Sequence, residues 1–279
     1  MRKKHKFPPK WLVTLVWIIG FLLLWEFGAF LVENNPKIRN PEYILPHMWQ
    51  IFASFFDTNL TTATQTPFQV VLEACGATLS RAGIGFLIGL SAGFILALLM
   101  NLSHIVEKIA FPYLMLIQVI PILGMAPIIL ALTGDIGISR MVIAAILTFY
   151  PVSANTLAGF KSVSTEQKQL MFNYAAKTPV TYWKLMFPTC IPYFFTGLKT
   201  AAPMAITASI LVDTLQGDGG LGCALSQSLK HNTTIYVFWE IVIVAAAVGI
   251  FSFYLMGMIE NMVSPLQRIN RKVKRGDKG

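Results

Sequence analysis

Residues 81–100 read RAGIGFLIGLSAGFILALLM. After Arg81 no charged side chain occurs up to Met100. A helix needs about 20 apolar residues to cross a hydrocarbon core about 30 Å thick. Gly85, Gly89 and Gly93 recur every four residues and therefore share one helical face. Such a smooth stripe lets a second helix approach closely. The stretch predicts a membrane helix packed against a neighbour.

The rest of the chain agrees. Its 279 residues are 55% hydrophobic and only 13% charged, with mean hydropathy +0.61. A soluble domain is about 25% charged. Composition thus points to a polytopic membrane protein. The net charge of +9 resembles a nucleic-acid signal until its placement is considered. Arg2, Lys3, Lys4, Lys6 and Lys10 crowd the N-terminus, and Arg268, Arg271, Lys272, Lys274, Arg275 and Lys278 the C-terminus. Five of the other eleven fall between Lys161 and Lys199. Basic clusters flanking apolar runs follow the positive-inside rule. No nucleic-acid partner is expected; membrane lipid is.

Six apolar segments predict spans at 11–32, 82–100, 109–133, 141–160, 192–214 and 235–259. The first exceeds the roughly 7–15 residues of a signal-peptide core and is read as retained. Six spans put both termini on one side, which the basic residues make cytoplasmic. The expected order is a cytoplasmic basic N-terminus (1–10), a first span (11–32) and an extracytoplasmic segment (33–81). A five-helix core (82–264) with a cytoplasmic loop (162–187) and a basic tail (265–279) follow. The apolar segment 48–56 is expected along the interface. Pro112, Pro121 and Pro127 interrupt the third span, as helices do where they pack in protein or line a cavity.

No motif for catalysis is present: no HExxH, no G-x-S-x-G, no Walker A, no aspartate-rich pair. His5, His47, His104 and His231 lie outside or at the edges of the spans. Cys75, Cys190 and Cys223 lack metal-site spacing and are read as small apolar residues. Glu26, Glu240 and Glu260 are expected to snorkel at span ends. Asp213 ends the fifth span beside Gly217, Gly219, Gly220 and Gly222 and is expected to anchor that outer loop.

The cytoplasmic loop holds NYAAKTPVTYWKLMFP, residues 173–188. Ser164 or Thr165 is expected to cap a helix reaching Ala176 or Lys177, with Gln167 placed to complete a capping box with Ser164. Pro179 disfavours helix at Thr178, which is expected to cap a second short helix. Ala175 and Ala176 are expected to give the first helix a low docking face.

Here the chain resembles the membrane-spanning permease subunit of binding-protein-dependent ABC importers. It is most like the branch of sulfonate, taurine, nitrate, bicarbonate and thiamine-precursor permeases. Thr78, Leu79, Arg81, Gly85 and Phe86 resemble the family's Thr-Leu-x-Arg…Gly-Phe segment. Pro121, Ala126, Pro127 and Gly134 follow its third-span pattern. Ser139, Arg140, Phe149, Pro151, Asn155, Thr156, Gly159 and Val163 continue it. The Pro-x-x-x-Pro…Thr-Gly-Leu-Arg element recurs at 188–199 with Lys199 for the arginine, and Asp213 stands where the family has glutamate. The Glu-Ala-Ala…Gly coupling signature is only partly kept. Asn173 and Tyr174 replace its first two residues and Pro179 falls on the glycine.

The resemblance implies an all-α bundle of the type I importer kind that carries no catalysis. It implies no cofactor in this chain, ATP being bound by separate cytoplasmic ATPase subunits. It further implies an extracytoplasmic binding protein and a second permease copy, in a bacterial inner membrane. Asn173, Tyr174, Ala175, Ala176, Thr178 and Pro179 would contact the ATPase. Gln118, Pro121, Asp213, Gly220 and Gly222 would line or gate the solute pathway. An ion-coupled secondary transporter is the alternative, but it would favour repeated halves and buried coupling carboxylates.

Overall fold

The computed structural model describes residues 10–38, 41–57, 66–122, 124–215, 219–230 and 235–264. Their regular structure is all helical. The chain divides into two compact units. Unit 1 is Met1–Leu72 with Leu225–Val242, and unit 2 is Glu73–Ala224 with Ile243–Gly279.

In unit 1, α1 (Lys10–Glu33) is apolar on every side, with Trp17, Leu24 and Phe27 exposed. A soluble helix would bury one stripe; one that is apolar all round belongs in lipid. A 3-10 turn (Pro41–Tyr43) leads to α2 (Met48–Ser54), within the segment expected at the interface. Trp25 joins these pieces to the start of α11 (Ile235–Val263). Its indole N–H donates to the Pro46 carbonyl at 3.0 Å, and its ring meets Trp239 edge-on at 5.0 Å.

Unit 2 is built around α6 (Ile136–Lys161) and α9 (Phe187–Asp213). Their contact is close because it is made through glycine. A Cβ on Gly159 would fall 2.8 Å from Tyr193 Cβ, and one on Gly197 2.7 Å from the Pro151 carbonyl. The stripe on α3 (Pro67–Leu102) does the same against α6. A Cβ on Gly85 would meet Ala144 and the Met141 carbonyl at 2.6 Å, and one on Gly93 the Phe149 carbonyl at 2.8 Å. The glycine pattern thus marks a helix contact, as its spacing predicts.

Two expectations about the spans change. Among the described residues five helices, not six, are long and apolar enough to cross a membrane: Trp11–Glu33, Pro67–Leu102, Ile136–Lys161, Thr178–Asp213 and Tyr236–Val263. The expected third span is two helices, α4 (His104–Val119) and α5 (Ala126–Thr133). Pro121 forces Ile120 out of the helical region, to φ −67° and ψ 128°, and the chain re-enters helix at Ala126 with Pro127 in the first turn. The second change is that α3 starts at Pro67, so the expected extracytoplasmic segment 33–81 ends inside a helix. Residues 1–9 and 265–279, the basic ends, lie outside the described residues.

Candidate functional site

The loop between α6 and α9 begins as its sequence requires. Ser164 accepts from the Gln167 N–H at 3.3 Å, while Gln167 accepts from the Ser164 N–H at 3.2 Å, and α7 runs Thr165–Asn173. It stops short of the two alanines. Ala175 stands at φ 49°, and the Ala175 and Ala176 N–H groups return to the Phe172 and Met171 carbonyls at 2.8 and 3.0 Å. That is a Schellman stop, with alanine in the position that glycine usually fills. The alanines therefore form the turn and not a mid-helix face. The two-alanine spacing alone could not distinguish these, because a helix end carries no periodicity of its own. Thr178 is likewise not the cap: α8 (Thr178–Thr181) is capped by Lys177, at ψ 152°, with Pro179 in its first turn.

From α8 the chain passes through a π-turn (Tyr182–Met186) straight into α9. Asn101 donates to the Tyr182 hydroxyl at 2.7 Å, and Phe160, Val163, Met186 and Cys190 close an apolar core beneath. Lys161 pairs with Glu107 and holds its carboxyl below the usual range. The element is thus anchored at its second half and bare at its first. No residue of α7 is buried. Leu170 and Phe172 of α7 and its C-cap Tyr174 are 54%, 83% and 77% exposed. The expected contact residues include Tyr174 and not the other two. Their signal is a run of large apolar side chains, Leu170, Met171 and Phe172, ending a polar nine-residue helix.

At the other ends of α6 and α9 lies a buried charge cluster. Asp213 and Arg140 form an ion pair, both fully buried. The Thr78 hydroxyl donates to Asp213 Oδ2 at 2.8 Å and accepts from the Leu221 N–H at 2.9 Å. Arg140 also donates to the Gly219 carbonyl at 3.2 Å. The loop entering α10 (Leu221–Ser228) is therefore tied to α3, α6 and α9 at once. Its glycines are required. Gly219 and Gly220 have φ 73° and 102°, which L-residues rarely adopt. A Cβ on Gly220 would strike the Asp213 carboxylate, and one on Gly222 the Ile210 carbonyl.

Of the expected pathway residues, the structure brings together Asp213, Gly220 and Gly222. Gln118 is exposed on α4, and Pro121 makes the α4–α5 break. Arg140 and Thr78 stand in the motifs of their own segments, and the fold joins both to Asp213. Their partnership links positions more than sixty residues apart, which no local pattern reports.

The carboxylates expected to snorkel are instead engaged. Glu26 accepts from His47 Nδ1 at 2.6 Å and from the Met48 N–H at 2.9 Å, and Glu33 faces His47 Nε2 at 3.2 Å. Glu240 is buried and accepts from Ser54 at 2.5 Å, and Glu260 pairs with Lys199. The three cysteines are buried thiols, as expected. Among the described residues no group of His, Cys, Asp or Glu is placed to hold a metal ion.

Comparison with known proteins follows these features. The family described as "Binding-protein-dependent transport system inner membrane component" matches residues 85–265. The "Formylaminopyrimidine transport permease protein ThiX" of Halalkalibacterium halodurans is 26% identical over 91% of this chain and 95% of its own. The "Nitrate import permease protein NrtB" of Leptolyngbya laminosa is 23% identical over 88% of this chain and 86% of its own. A crystal structure of an amino acid ABC transporter with histidines superposes with TM-score 0.56 at 18% identity. It covers 72% of this chain and 94% of its own, a likeness of fold alone.

Proposed function

The chain belongs to the family of binding-protein-dependent transport system inner membrane components, and from that premise we propose how it works and what it carries. It is a multi-pass permease subunit of an ABC importer and not an enzyme; ATP hydrolysis in such systems belongs to a separate chain. Both termini and the α7–α8 element face the cytoplasm, α4 and α5 together completing the sixth crossing as a broken span, in keeping with the lysines and arginines of those segments. Exposed Leu170, Phe172 and Tyr174 are the docking face for the ATPase, and this unpartnered apolar patch on a polar helix is the observation that carries the proposal. Two copies of the permease form the channel. An extracytoplasmic binding protein delivers a small solute of the formylaminopyrimidine kind. The long likeness to a permease named for that solute supports this choice over nitrate.

Coupling follows from the geometry of unit 2. Movement of α7 on the ATPase is passed through the Ala175 turn to α8, which is continuous with α9. The glycine contacts make α6 and α9 move as a pair, because neither backbone can slide without a clash. Some 40 Å further along α9, at 1.5 Å per residue, the pair ends in the Arg140–Asp213 cluster that holds the outer loop. ATP binding on the partner would thereby be felt at the outer loop as a switch between two packed arrangements. The Asp213 cluster serves as the outer tie and takes no part in proton movement.

Phe172→Glu tests the docking face. The transporter, with its ATPase and binding protein, would be purified and reconstituted. Membrane insertion and thermal stability should match the unsubstituted chain, since Phe172 touches no core. Retention of the ATPase and ATP-driven uptake of labelled formylaminopyrimidine should both fall at least tenfold, a loss of about 1.4 kcal/mol or more. Retained ATPase and normal uptake would remove α7 from the coupling path. Normal ATPase retention with uptake of nitrate and not the pyrimidine would leave the coupling intact and change the solute.

A further inference from the structure

We propose that unit 2 carries a binding site for an acyl chain of an anionic phospholipid, in the aromatic groove between α3, α9 and the end of α11. It is independent of the transported solute and of the ATPase contact. The groove encloses about 410 Å³ and its wall is almost wholly apolar. Phe94 comes from α3, Trp183 from the π-turn, Phe187, Ile191 and Phe194 from α9, and Val263 from α11. The walls are stiff. Phe94 stacks on Phe187 with centroids 6.3 Å apart and meets Phe194 edge-on at 5.5 Å. These ring contacts hold α3 and α9 apart at a width that their own side chains leave open.

The shape selects the occupant. The groove follows α9 from Phe187 to Phe195, roughly 12 Å at 1.5 Å per residue. A flexible hydrocarbon chain fits lengthwise along this apolar, aromatic wall. An apolar wall offers a polar solute no hydrogen bond in return for its hydration, which excludes the transported class.

Charge selects the headgroup. Trp183 is 74% exposed at the groove's edge, and Lys184 beside it is exposed. A tryptophan and a lysine together mark headgroup depth. Lys177 is exposed on the same loop. The carboxylate near this end of α11, Glu260, is already paired with Lys199. The surroundings therefore favour a negative headgroup, as basic clusters beside membrane helices do.

The test uses the full chain, reconstituted with its partner subunits in phosphatidylcholine nanodiscs. These carry a trace of either phosphatidylglycerol or phosphatidylcholine with a photoactivatable diazirine in the acyl chain. Irradiation followed by peptide mapping should place adducts within 183–195, several-fold more with the glycerol headgroup. Ile191→Trp fills the groove and should abolish them; Val263→Trp should do so from the opposite wall, and Ile191→Val should retain them. Lys184→Gln should reduce the headgroup preference and leave the adduct position unchanged. Equal yields with both headgroups, or labelling indifferent to both tryptophan variants, would overturn the site. A groove left unlabelled in the assembled transporter would also overturn it, since a second copy or partner would then cover that face.

Discussion

Unit 1 and unit 2 each use a carboxylate and a base to tie a loop to helices, and the two ties are of different kinds. In unit 2 Asp213 and Arg140 are both fully buried, with Thr78 and the glycine loop completing the shell. Arginine stays charged at any working pH, so the base of this tie does not titrate. In unit 1 Glu26, Glu33 and His47 keep 39%, 60% and 21% of their side-chain surface exposed. Its base is a histidine, whose charge is set by pH. A buried pair is costly to form and costlier to break from one side. An exposed one is screened and weak. The loop entering α10 is thus held by an all-or-none contact in unit 2, while α2 is held to α1 by an adjustable one.

The largest effect is expected from breaking the buried tie on one side. Arg140→Met removes the buried partner of Asp213, leaving Arg81 as the remaining positive charge nearby, and should cost about 3–5 kcal/mol. Unfolding of the purified chain, followed by tryptophan fluorescence in a denaturant series, measures it. Adding Asp213→Leu should restore much of that stability while transport stays lost, since the loop has no tie. Restored transport in the double variant would make the pair a mere packing element, and the contrast with unit 1 would dissolve.

A smaller effect is expected from Gly222→Ala, which leaves the charges in place. The new methyl meets the Ile210 carbonyl and the Asp213 Cβ, so the loop must shift. Overpacking of this kind costs about 1–3 kcal/mol. Limited proteolysis between α9 and α10 should speed up in proportion. Unchanged cleavage would show that the loop is not held closely by the cluster.

The smallest effect is that of pH on unit 1. Hydrogen bonding to Glu26, aided by Glu33, raises the His47 pKa above its ordinary 6.5, against a smaller opposing effect of burial. The protonated form is therefore the one the fold favours. Its stabilisation is fully present below about pH 6.5 and is lost as pH rises through the raised value. The size should be about 0.2–1 kcal/mol, discounted for exposure. Thermal unfolding across pH 5–9 should show this loss in the unsubstituted chain and a flat profile over the same window in His47→Gln. An identical slope in both would place the titrating group elsewhere. Arg140→Met should leave the slope untouched, which separates the two ties.

The helices that carry these ties were legible in unequal degree. Gly85, Gly89 and Gly93 announced a close helix contact because a four-residue repeat is a surface property of one helix, independent of what covers it. Ser164 and Gln167 announced the start of α7 for the same local reason. Pro121 was visible too, but its consequence was misjudged: a proline in an apolar run permits either a kink or a full break. Here the Ile120 backbone leaves helix and the span divides. The two alanines were read as a face when they are a turn, since a helix stop depends on backbone angles that alanine does not advertise.

Composition and ordered motifs report the solvent of the helices and the family, and each segment carries them without reference to the others. That Arg140 belongs to Asp213, that Thr78 bridges it to Leu221 and that α8 continues into α9 emerges from packing alone. Hydrophobicity and capping are summed along the chain, whereas a buried ion pair exists only when two helices, each indifferent to the other in sequence, are packed close enough to remove both charges from solvent.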